Sequence, residues 1–164
     1  DAKLRGTVLH RLLEHLPHAE DPMDLANRLG RYGPFEEDLF PLAQRVVDTP
    51  ALAHIFARDA LAEVTLTAKL PSLGGQSMLG TIDRLIIGPD RILAVDFKSN
   101  VVVPDTPEKT PSGILAQMGA YLEMLEQLYP EKTVEVAILW TQSAQLMPLP
   151  HDIVRVALGA AHTS

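Results

Sequence analysis

A chain of 164 residues with a net charge of −7 has the size of one domain and buries roughly two-thirds of its unfolded surface, so it needs no disulfide or structural metal to fold. Its 21 acidic against 14 basic residues exclude nucleic-acid binding by bulk positive charge, but not a local grip on phosphate through carboxylate-held metal ions. The absence of cysteine excludes disulfides, thiol catalysis, thiolate zinc and cysteine-ligated iron–sulfur clusters, and it fits a reducing cytosol.

Leu4, Val8, Leu9, Leu12, Leu13 and Leu16 fall on one half of a 3.6-residue period and predict an opening helix, ended by Pro17. His10, Thr7 and Glu14 lie on its other half. Further helices are predicted over Pro22–Arg31, over Phe35–Val47 with a kink or split at Pro41, and over Ala51–Ala60. The period then becomes two. Val64, Leu66, Ala68 and Leu70 alternate with Glu63, Thr65, Thr67 and Lys69, as in a half-buried strand. Met78–Ile87 and Arg91–Lys98 read as a hairpin turned at Gly88-Pro89-Asp90. Val101–Ser112, with three prolines, reads as a long loop, poorly packed and placed to close over a substrate or a neighbouring domain.

Ile114–Leu128 follows as a strong helix, Thr133–Trp140 as a buried strand, Gln145–Leu149 as a short strand and Asp152–Ala161 as a terminal helix. The order implies an α/β fold with a central mixed β-sheet flanked by helices. The longest uncharged stretch, Val136–His151, is too short and too broken by Gln and Pro to span a bilayer, and there is no signal-peptide pattern. The chain starts at Asp1 and enters an apolar helix at once, which reads as a single domain, residues 1–164, cut from a longer protein.

Chemistry concentrates in Gly80-Thr81-Ile82-Asp83-Arg84 and Asp96-Phe97-Lys98-Ser99. Asp96 and Lys98, two apart on a strand, leave by the same face, with Ile92 and Ala94 behind them. Asp83 sits on the neighbouring strand, and a suitable register brings the two carboxylates together. Two carboxylates suit Mg²⁺ or Mn²⁺ with phosphate and water; a nearby ammonium can orient water or offset transition-state charge. The same Asp-x-Lys also occurs as a solvated ion pair on an ordinary strand. No phosphate-binding glycine loop is present, so no nucleotide site is expected here, and the other histidines show no zinc-ligand spacing.

Four pieces recur in order: Gly6-Thr7-Val8-Leu9-His10, Gly80-Thr81-Ile82-Asp83-Arg84, Asp96-Phe97-Lys98-Ser99 and Gln117-Met118-Gly119-Ala120-Tyr121. Together they resemble the G-x-x-x-H, G-x-x-D-R, D-[YF]-K-[TS] and Q-x-x-x-Y motifs of the RecB-like nuclease domain of the PD-(D/E)xK superfamily, most of all the C-terminal nuclease of AddA-type helicase–nucleases. The resemblance spans about Arg5 to Trp140. It implies Asp83 and Asp96 as catalytic metal ligands, with the Phe97 backbone carbonyl and His10 completing the shell, and Lys98 as the catalytic lysine. Gln117 and Tyr121 would support the site and touch the substrate strand, and Glu63 fits an acidic position often found on the preceding strand. The implied cofactor is Mg²⁺ or Mn²⁺, the His ligand favouring Mn²⁺, with no iron–sulfur cluster. The implied partners are DNA, as single strand made by helicase action, the other domains of a parent helicase–nuclease and its partner subunit, with no membrane. The implied setting is the bacterial cytoplasm, at the nucleoid, in double-strand break repair. The rivals are a catalytically inactive nuclease-fold module that channels DNA or binds a partner, a structural domain with surface ion pairs, and a stand-alone resolvase. Retention of Asp83, Asp96 and Lys98 together speaks against the first.

Overall fold

A computed structural model describes residues 2–29 and 38–163. The leucine stripe of the first segment forms α1 (Ala2–His15), and a 3₁₀ turn over Leu16–His18 ends it at Pro17. Then come α2 (Pro22–Leu29) and α3 (Leu39–Asp48). Residues 30–31 and 35–37 of the predicted helices lie outside the described residues. Pro41 neither kinks nor splits α3. It occupies the first turn, where a missing N–H breaks no intrahelical bond.

The helix predicted over Ala51–Ala60 does not form. Pro50–Leu52 makes a 3₁₀ turn, and the next residues bond three back, Ile55 N to Leu52 O and Ala60 N to Ala57 O. A helix this short is marginal by itself. Here the packing of Phe56 on Phe97, with ring centroids 5.9 Å apart, and beneath the Arg84 guanidinium sets the path instead.

The strands are β1 (Leu61–Leu70), β2 (Gln76–Ile87), β3 (Arg91–Lys98), β4 (Thr133–Trp140) and β5 (Gln145–Pro148), and they lie in the sheet in chain order. All neighbours are antiparallel except β3 and β4. That parallel pair is joined through α4 (Ser112–Leu128), which starts two residues earlier than predicted because the orphan donors of a first turn tolerate Ser-Gly. The chain closes on α5 (His151–Thr163). The result is a five-stranded mixed sheet flanked by helices.

Each face of the sheet has its own core. Ile92, Ala94, Val136 and Ile138 turn toward α4 and α5, while Val95, Phe97 and Leu139 turn toward α1 and α3. Two-sided burial explains why β4 reads as an unbroken apolar run from Val136 to Trp140. The loop after β3 is open at Val101 and Val102 but buries Thr110, and Val103 packs on the α4-side core.

Gly119 sets the approach of α5 to α4, since a Cβ there would strike the Val154 carbonyl. Gly119→Ala should therefore cost about 1–3 kcal/mol, as overpacking does. Gly113→Ala, with open space around the new methyl, should stabilise α4 by about 0.5–1 kcal/mol. Urea unfolding of the two variants checks both signs.

Candidate active site

The site begins where β2 and β3 part. Their ladder ends at the pair Arg84–Val95. One residue on, the Phe97 N–H donates to Asp83 Oδ2 at 2.7 Å, so a side chain replaces the next backbone rung. The Phe97 C=O leaves the strand to the same side as its N–H and so faces this gap. Side-chain alternation along β2 shifts here too: Ile82 and Leu85 both face the α4-side core, whereas Arg84 reaches across to α1. On β1, Glu63 has φ 52°, a left-handed conformation rare for a strand glutamate. Ala62–Arg84 and Val64–Ile82 pair on either side of it, but Glu63 and Asp83 form no rung. Local backbone strain of this kind collects at functional sites.

His10 reaches the gap from α1. Its Nδ1 lies 3.4 Å from Asp83 Oδ1, and its ring packs edge-on against Phe97. Arg84 holds the helix there: its buried Nη2 donates to the carbonyls of Leu13 at 2.9 Å and Glu14 at 3.1 Å, capping the end of α1. Sequence reasoning gave Arg84 no task of its own, although a second charged residue, directly after Asp83, within the otherwise apolar run Ile82–Ile87 was the available signal. Gly6, Thr7, His10, Glu14, Glu63 and Asp83 line a cleft of about 560 Å³, which accounts for the polar half of the opening helix.

Asp96 comes from the other side of β3. Lys98 Nζ lies 2.9 Å from Asp96 Oδ2 as an ion pair, and it donates to Gln117 Oε1 at 3.1 Å. Gln117 Nε2 donates to Tyr121 Oη, which donates to the Thr81 carbonyl, both at 2.9 Å. Tyr121 is thus at once a core residue and the last link in the chain of bonds that positions Lys98. Gly80 makes this possible, because a Cβ there would lie 2.7 Å from the Tyr121 ring.

Burial works to lower the His10 pKa, but its hydrogen bond to Asp83 and the charges of Asp83, Asp96 and Glu63 outweigh it, and the net shift is upward. Burial works the other way on Asp83, yet His10 and the Phe97 N–H stabilise its anion and the net shift is downward. Asp96 takes the opposite course. Burial, then the charge of Asp83, push it up to about 7 against the pull of Lys98. Glu63 is also raised, first by burial and then by Asp83 and Glu14.

These residues fit a divalent cation. His10, Glu63 and Asp83 each bring a ligand atom within 4.8 Å of the others, which gives Glu63 a more central place than its supporting role in the sequence reading. Asp96 lies outside that trio; its Oδ2 faces the Lys98 ammonium at 2.9 Å, and the charge of Asp83 that helps to raise its pKa is one that a shared cation would offset.

A family model for the PD-(D/E)XK nuclease superfamily matches residues 1–154. The chain belongs to that superfamily. Superfamily membership points to nuclease chemistry, to DNA as the bound polymer and to divalent metal use, in keeping with the His10–Glu63–Asp83 cluster. No curated protein matches the sequence. One solved structure, described as the crystal structure of SSO0001, aligns over 98% of this chain and 87% of its own at 17% identity with a TM-score of 0.39, a likeness too distant to bear on function.

The raised Asp96 pKa contributes a pH dependence to the stability of the metal-free protein. Between the unfolded value of 3.8 and about 7, the native state keeps a proton that the unfolded state loses, so stability falls as pH rises through that window. Asp96→Asn lacks this penalty. Its melting temperature in EDTA should exceed wild type by several degrees at pH 8 and match it near pH 4. Thermal melts across pH read the difference.

Proposed function

We propose that this chain is a metal-dependent DNA nuclease acting in double-strand break repair as the nuclease part of a helicase–nuclease. The observation that carries the reading is the meeting of Asp83, Asp96 and Lys98 at the parted end of β2 and β3, with His10 opposite. His10, Glu63, Asp83 and Asp96 would hold the metal together with the Phe97 carbonyl. A mixed nitrogen and oxygen set accepts Mn²⁺ readily and Mg²⁺ less so. When bound, the metal lowers the pKa of water and neutralises charge on the phosphate.

The chain's own groups supply the rest. Lys98, oriented by Gln117 and Asp96, presents Nζ to the attacking water or to the phosphoryl oxygens, where it aligns the nucleophile and offsets developing charge. Asp83 locks the Phe97 amide, and with it the direction of the neighbouring carbonyl. Water attacks the backbone phosphorus in line and the 3′ oxygen leaves. A net charge of −7 makes for weak DNA affinity at physiological salt. We place the remaining grip in other domains of the parent protein and in its partner subunit, in the bacterial cytoplasm at the nucleoid. The four ordered motifs support that setting. No helix among the described residues is long and apolar enough to cross a membrane.

Two substitutions separate metal binding from catalysis. Asp96→Asn should weaken calorimetric Mn²⁺ binding and abolish cleavage of linear single-stranded DNA together. Lys98→Met removes no ligand, so Mn²⁺ affinity should hold or rise slightly while cleavage falls by roughly 10²–10⁴, the scale for a positioned proton-transfer group. Near wild-type cleavage by Lys98→Met, or no metal-dependent cleavage by wild type, would turn the reading toward a module that only channels DNA or holds a partner.

A further inference from the structure

The cleft is short, but a polynucleotide is long and has to continue beyond it. β2 outruns β3: from Gln76 to Ile82 it pairs with β1 alone. One face of this β1–β2 extension packs on α4 through Leu66, Ala68 and Met78. The opposite face is bare. It carries the cross-strand pairs Thr65–Thr81, Thr67–Leu79 and Lys69–Ser77, all exposed, with Leu79 at 70%. Thr65 and Thr81 share a hydroxyl hydrogen bond at 3.1 Å, and Thr81 also lines the cleft. The bare face therefore runs out of the cleft without a break.

Charge points the same way. Most basic side chains among the described residues are held: Arg28 by Asp24, Arg91 by Glu135, Lys109 by Asp105, Arg155 by Glu126, and Arg45 and Lys132 by backbone carbonyls. The side chains of Arg11, Arg58 and Lys69 make no hydrogen bond or ion pair among the described residues, and all three are exposed. Arg11 lines the cleft at the α1 side. Lys69 stands at the far end of the bare face. In an acidic protein, two unpaired cations thus bracket one continuous polar surface.

We propose that this surface is the track of a single DNA strand, gripped by Arg11 at the cleft mouth and by Lys69 at the outer end; the proposal rests on the nuclease reading. Hydroxyls of Thr65, Thr67 and Ser77 are suitable phosphate contacts, and Leu79 offers an apolar seat for an unstacked base. The face is two strands wide, with strands about 4.8 Å apart, which suits one sugar–phosphate chain rather than a duplex. Glu63 to Lys69 is six residues, about 20 Å of strand, which is at most roughly six nucleotides at the 3.4 Å spacing of a stacked strand and fewer for one whose bases are unstacked.

The test is anisotropy of fluorescein-labelled deoxyoligonucleotides in an Asp96→Asn background, titrated with salt. Arg11→Ala and Lys69→Ala should each raise Kd about three- to tenfold at low salt and reduce the slope of log K against log salt by about 0.7, one phosphate contact on a single strand. Arg11→Lys should keep the slope. Lys69→Ala should affect a 12-mer but not a dinucleotide, which is too short to reach from the cleft to that end. Arg58→Ala removes the same charge from the loop before β1 and should change neither Kd nor slope. Equal losses in all three alanine variants would reduce the effect to net charge and overturn the track. So would unchanged slopes for Arg11→Ala and Lys69→Ala while the wild-type side chain at Asp96 still gives cleavage, an outcome that leaves the nuclease reading intact. A wild-type protein that neither binds nor cuts the 12-mer would sink both. Sedimentation showing a dimer that Leu79→Ser dissociates would assign the face to a second copy instead.

Discussion

The Asp83 carboxylate joins three elements that would otherwise have no fixed relation at the site. One oxygen takes the Phe97 amide from β3 and the other faces His10 from α1, while the residue itself belongs to β2. An anion that accepts a backbone N–H in a buried place gives a strong, directional bond. It stands in for a missing rung of the sheet and so lets β2 and β3 separate without leaving an unpaired amide. The gap so made lies between Asp96, from the α4 side of β3, and His10, from the α1 side.

Both flanking helices are tied to this gap by polar links that the apolar core alone could not direct. Hydrophobic packing fixes how far α1 and α4 stand from the sheet but leaves sliding and rotation loosely determined. Arg84 removes that freedom for α1 by binding its last carbonyls. The Tyr121–Gln117 pair does the same for Lys98, with its far end anchored on the Thr81 carbonyl. Gly80 is the steric condition for the second link. The motifs that stand apart in the chain thus form two braces on one opening.

Electrostatics at the opening is held in tension. Asp83, Asp96 and Glu63 lie in partly buried surroundings, with Lys98, His10, Arg84 and Arg11 as the cationic groups that act on them. The molecule relieves the repulsion unevenly: Asp83 keeps its charge through His10 and the Phe97 amide, while Asp96 and Glu63 are pushed toward their protonated forms. Such a set is costly to ionise by itself and is stabilised by a cation placed among its carboxylates. The strained Glu63 backbone belongs to the same economy, since it turns a third carboxylate to the cleft.

The sequence by itself determined the element order, the mixed sheet and the four ordered motifs, because side-chain periodicity and short-range spacing are properties of the chain alone. The Asp96–Lys98 face and the polar half of α1 were legible for that reason. The path of residues 51–60 was not, since a weak local helix yielded to the burial of Phe56 between Phe97 and Arg84. Nor could the chain show that Glu63 stands beside His10 and Asp83, that Arg84 caps α1, or that Tyr121 serves the core and Lys98 together. Each of those depends on the register of β1 on β2 and on the point where β2 leaves β3. Residues far apart in sequence meet there only after both faces of the sheet are packed.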